Sequence, residues 1–249
     1  MKQEDAFFVG WSADTPKVDR RFMLAGALTL IAGGAAIGAG LGSNTASTGE
    51  GLWAMGGTRS LRGLLTARPY PSLFTQDLDG TVRTVFLATT GKTAPPIDRG
   101  MMETWVAVTG TLITRGQNTM MAVSSIAPSS TRISPVQFNA PIPVDRGPVL
   151  LVGEILDAKC WFGAMRPGYG KTHKSCAALC ARGGLPLAFC QLGACGDGVA
   201  APLFLDSDGQ AFGHSILPLV ADPVSVQGRL VEIGDVMQVH ARLSDIRRL

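Results

Sequence analysis

The sequence predicts a mainly β protein: one N-terminal membrane-crossing helix, then two small β-barrel domains, the second with a short helical insert that carries the cysteines. Three observations predict this. A stretch without charge, Phe22 to Leu41, lies directly behind an arginine pair. Two clusters of short alternating apolar runs, broken by turn glycines, repeat at a fixed offset. All five cysteines fall between Cys160 and Cys195. Composition points the same way. Only 16% of the 249 residues are charged, too few for a disordered chain. The 31 glycines and 15 prolines interrupt long soluble helices. A net charge of +3 gives no reason to expect a nucleic-acid partner.

Residues 1–21 form a polar tail ending in Asp19-Arg20-Arg21, expected in the cytoplasm. Residues 22–42 are the expected transmembrane helix, since 20 residues rising 1.5 Å each reach about 30 Å, a bilayer core. The positive pair in front favours an N-terminus inside and a body outside. In a Gram-negative bacterium that is a single-pass inner-membrane protein with a periplasmic body. Arg20-Arg21 followed by Phe22, Met23 and Leu24 resembles a twin-arginine export signal. No Ala-x-Ala site closes the run, with Ser43 to Ser47 a poor alternative, so a retained anchor is expected. Gly34 and Gly38 give a small-xxx-small spacing that admits a second membrane helix, and equally fit the composition of an export signal.

Residues 43–57, rich in Gly and Ser/Thr, are the expected linker. Beyond it, WVAVTGTLITRG (Trp105 to Gly116) matches PVSVQGRLVEIG (Pro223 to Gly234) at an offset of 118. Leu61 to Leu65 matches Leu151 to Ile155 at an offset of 90. The difference leaves roughly 28 extra residues in the second copy, where the cysteines lie. Strands this short, bent by central glycines, suit five-stranded OB-like barrels. The expected domains are 58–127 and 149–249, joined by a proline-rich connector at 128–148.

The insert, residues 160–195, opens where a strand ends at Cys160. A helix is expected from Thr172 to Arg182, stopped by Gly183-Gly184 and Pro186. His173, Cys176 and Cys180 then share one helix face. With Cys160 they form a candidate metal set of three thiolates and one imidazole, suited to structural zinc, with iron a second option. The alternatives are disulfides, Cys160 with Cys176 or Cys180 and Cys190 with Cys195, or free and mixed thiols. No Cys-x-x-Cys-His and no redox Cys-x-x-Cys occurs. His214 and His240 read as structural or surface residues. Asp77, Asp79, Asp206 and Asp208 read as hairpin turns, and Lys92 lacks a phosphate-binding glycine loop before it. No catalytic constellation is present in the sequence.

The run HKSCAALCARGGLP, with Gly153-Glu154-Ile155 and Asp157 to Cys160, resembles a family of small exported bacterial proteins of unassigned role. The resemblance covers residues 150–249 and implies an OB-like barrel with this insert. It marks Cys160, His173, Cys176, Cys180, Gly183, Gly184 and Pro186. Cys190 and Cys195 depart from the family pattern. Three functions are then expected in turn. The first is a non-catalytic accessory subunit of a larger membrane complex, respiratory or photosynthetic, touching other subunits through helix and body. The second is a membrane-tethered metal or redox protein. The third is an exported ligand-binding module.

Overall fold

The computed structural model describes residues 17–43, 51–77, 79–129, 141–196 and 201–249. Parts of the expected tail (1–16), linker (44–50) and connector (130–140) lie outside these. The chain divides into two compact units, Met1–Ala46 and Ser47–Leu249.

The first unit is one helix, α1 (Lys17–Ser43). It starts five residues before the expected transmembrane segment and is long and apolar enough to cross a membrane. Its apolar side chains are exposed all round, Leu30 at 78% and Leu41 at 68%, the surface expected of a helix that faces lipid.

The second unit is mainly β, with its α-helix in the insert and short 3-10 turns elsewhere. Strands β1 (Leu52–Thr66), β2 (Ser72–Gln76), β3 (Val82–Ala88), β4 (Trp105–Arg115) and β5 (Asn118–Pro128) close a barrel in the order β1-β2-β3-β5-β4. β1 begins at Leu52, inside the stretch expected as linker. The second set is β6 (Val144–Asp157), β7 (Leu187–Gln191), β8 (Leu203–Asp206), β9 (Pro223–Ile233), β10 (Val236–Ala241) and β11 (Ile246–Arg248). Its order is β10-β8-β7-β6-β9-β11, and β10 also pairs with β9, so five strands close and β11 extends the edge of β9. β6 takes up the last residues of the expected connector.

The two rings have the same connectivity, including one parallel pairing each, β3 with β5 and β8 with β10. The glycines carry the repeat into three dimensions. A Cβ on Gly63 would lie 2.2 Å from the Phe74 carbonyl oxygen, and one on Gly153, 90 positions on, 1.9 Å from that of Cys190. Gly110 faces the Ala122 oxygen and Gly228 the His240 oxygen, both partners 118 positions apart. Each strand crosses its neighbour too closely for any side chain.

The barrels are not independent domains, because one apolar layer is common to both. Leu65, Leu73, Val85 and Leu87 fill the first barrel, and Phe189, Phe204, Val224 and Val239 the second. Between them lies a third cluster: Phe86, Ile113 and Met120 from the first barrel, Leu156, Trp161 and Phe162 from the second and its insert. Val85 and Leu87 point into the barrel while Phe86 and Ala88 point at the insert. Burial on both faces is why Val85 to Ala88 reads as an unbroken apolar run instead of alternating. Arg115 is buried with its guanidinium 4.5 Å from the Trp161 ring centre, and both donate hydrogen bonds to the Cys195 carbonyl oxygen.

Candidate metal centre

β6 ends at Asp157 because the chain turns there into a short helical stretch. The Asp157 Oδ1 accepts the Cys160 N–H at 2.8 Å, capping the π-type turn Cys160–Ala164. This holds Cys160 buried beneath the third apolar cluster. The chain returns through Gly170, whose N–H donates to Glu154 Oε1 at 2.6 Å, with burial pushing the Glu154 carboxyl up. A 3-10 turn, Lys171–His173, leads into helix α2 (Lys174–Arg182). The expected helix start at Thr172 therefore falls in this turn.

Cys176 and Cys180 stand one turn apart on α2 and face Cys160. All three are free thiols, with their sulfurs within 4.8 Å of one another. Cys160 Sγ and Cys176 Sγ are 3.7 Å apart. The hydrogen bond to Cys180, then burial and the charge of Asp157, push the Cys160 thiol well above the ordinary range. A second set shares Cys160: Asp157, Cys160 and His173, also within 4.8 Å. His173 Nε2 sits 2.9 Å from Asp157 Oδ2, both side chains being buried. The expected ligands thus fall into two triads that share Cys160, the three thiols in one and His173 beside Asp157 in the other. Cys190 and Cys195 form a disulfide and take no part.

Two lysines complete the surroundings, neither legible as a site residue in the sequence. Lys92 comes from the first barrel, on the turn after β3, and its Nζ donates to Cys176 Sγ at 2.5 Å, which raises the lysine above its usual range. Its own backbone is docked on the end of α2. A Cβ on Gly183 would lie 1.9 Å from the Lys92 carbonyl oxygen, and the Ala94 N–H donates to the Gly183 oxygen at 2.8 Å. Gly184 follows with φ +80°, closing the helix in the left-handed region. Lys159, buried one residue before Cys160, donates to the carbonyls of Thr89, Thr90 and Gly91 at 2.7, 3.0 and 2.5 Å. Burial lowers its pKa, and the Trp53 ring covers it at 5.1 Å. Lys159 clamps the turn that delivers Lys92. Lys92 thus faces a thiol, a placement that only the chain crossing at Gly183 shows.

His240 bonds Gln238 at 2.8 Å, and Asp206 Oδ1 accepts the N–H groups of Asp208 and Gln210 in a turn. Comparison with family models, with curated proteins and with solved structures finds no match.

Proposed function

We propose that this chain is a membrane-anchored accessory protein whose two-barrel body is stapled by a zinc ion on Cys160, Cys176, Cys180 and His173. The observation that carries the reading is the 3.7 Å between Cys160 and Cys176 sulfurs. A zinc–sulfur bond of about 2.3 Å sets tetrahedral sulfurs about 3.8 Å apart, whereas a disulfide needs about 2.05 Å. Asp157 supports it further. By holding Nε2 of His173 it leaves Nδ1 for the metal, the carboxylate–histidine–zinc arrangement. Three thiolates, an imidazole and Zn²⁺ sum to one negative charge, which the Lys92 ammonium beside Cys176 neutralises. The metal's task is then structural: it ties α2 to the turn that follows β6, next to where the first barrel's turn docks.

The disulfide Cys190–Cys195 favours an oxidising compartment, in keeping with a periplasmic body behind a single inner-membrane span and a cytoplasmic N-terminus. In such a compartment three adjacent thiols stay reduced when a metal holds them. Other membrane subunits, of a respiratory or photosynthetic complex, are the proposed partners, met through α1 at Gly34 and Gly38 and through the body. Two experiments test the reading. Chelator treatment of the reduced, detergent-purified chain should release zinc and lower the melting temperature; unchanged melting refutes the staple. Purification in mild detergent should bring other membrane proteins along in fixed ratio, and recovery of free monomer under several gentle conditions refutes the accessory role. An iron centre instead of zinc would colour the protein.

A further inference from the structure

We propose that Lys92 and Cys176 are a covalent modification site: when the centre holds no metal, dioxygen joins them through one bridging oxygen, Nζ–O–Sγ. Three observations carry this. The nitrogen and the sulfur are 2.5 Å apart, inside ordinary hydrogen-bond distance to sulfur and close to the span of two single bonds meeting at one oxygen. Both groups are held there independently, Lys92 by the Gly183 crossing and the Lys159 clamp, Cys176 by α2. Lys92 is exposed and Cys176 half-buried, whereas Cys160 and Cys180 lie beneath, so an oxidant from solvent meets this pair first.

The step balances. The ammonium first gives one proton to solvent. The amine and the thiol then lose one N–H and one S–H hydrogen, and N–O and O–S bonds form. One atom of dioxygen becomes the bridge and the other leaves as water with the two hydrogens. Nitrogen and sulfur give up two electrons each, and dioxygen takes four. Two equivalents of a dithiol reverse it, releasing the bridging oxygen as water. The bond removes a thiolate from the proposed zinc set and ties the first barrel's turn to α2 in the metal's place. The bond itself stands without the zinc reading; only its regulatory effect rests on that reading.

The test is peptide mapping of the full chain in detergent, stripped of metal, reduced, then held in air. The expected result is a linked pair of peptides containing Lys92 and Cys176. It is heavier by one oxygen and lighter by two hydrogens than its parts, returns to them with dithiol, and is missing from Lys92→Arg, which keeps the charge. Cys160→Ser should still form it, which separates it from a Cys160–Cys176 disulfide that loses two hydrogens and gains no oxygen. Air-oxidised wild type should take up zinc at least about tenfold more weakly than Lys92→Arg treated alike, a ligand having been lost. Unlinked Lys92 and Cys176 peptides after air exposure overturn the proposal, as does a disulfide in place of the bridge. Zinc uptake by the reduced chain is read separately, so failure of the metal reading leaves the bridge result intact.

Discussion

Replacing Gly183 by alanine should loosen the place where the two barrels meet without touching a proposed ligand. The added Cβ would stand 1.9 Å from the Lys92 carbonyl oxygen and 3.0 Å from Thr93 Cα. Carbon and oxygen pack comfortably at about 3.3 Å, so the turn must retreat by roughly 1.4 Å. That retreat breaks the Ala94 N–H bond to the Gly183 oxygen, worth about 1 kcal/mol. Overpacking adds about 1–3 kcal/mol. The sum, about 2–4 kcal/mol, lowers the melting temperature of a body this size by roughly 4–16 °C. The assay is thermal unfolding of the full chain in detergent, with Gly213→Ala beside it. Gly213 has open space around its Cβ direction and φ of −73°, so alanine there should leave stability nearly unchanged. If Gly183→Ala melts within about 2 °C of wild type, the docking of Lys92 on α2 is wrong.

Three further outcomes follow from the same contacts. Removing the Cys190–Cys195 disulfide by paired alanines opens a six-residue loop and should cost about 2 kcal/mol in denaturant unfolding; an unchanged midpoint contradicts this. Lys159→Met strips the donor from three carbonyls of the 89–91 turn and should cost about 2–4 kcal/mol while loosening Lys92, read as lower melting and weaker zinc retention; wild-type values for both refute the clamp. Burial raises Tyr70 to about 12 from an ordinary 10. The folded state therefore favours the neutral phenol. Its contribution is whole below pH 10 and is lost as pH rises from 10 to 12, by about 3 kcal/mol. Tyr70→Phe should flatten that alkaline loss, at a cost near 1 kcal/mol at neutral pH for the bond from the Leu187 N–H. Equal alkaline slopes for both proteins refute it.

The β character, the membrane-length helix and the duplication were legible because each is a periodic signal. Offsets of 90 and 118 survive as pairs of glycines under the same carbonyl crossings. The insert helix was legible from its stop at Gly183-Gly184. The merger of the two barrels was less so. It is written in the non-alternating run Val85 to Ala88 and in buried Trp161 and Phe162, which say that a strand or turn is covered twice, not by what. Cys176 and Cys180 were legible through helical spacing, while His173 lies in the 3-10 turn directly before the helix and bonds to Asp157. Lys92 and Lys159 were not, since their roles come from contacts 84 and about 70 residues apart in sequence. A lysine facing a thiol has no local pattern. Its cause is a chain crossing that only the closed barrels create.

The central claim, a three-thiolate zinc site beside the junction of the barrels, is met most directly by metal analysis of the reduced full chain with zinc-edge X-ray absorption. The account predicts one zinc per chain with three sulfurs at about 2.3 Å and one lighter donor, lost in both Cys160→Ser and Cys176→Ser. A chain free of metal after zinc loading, with Cys160, Cys176 and Cys180 all open to alkylation, would contradict it.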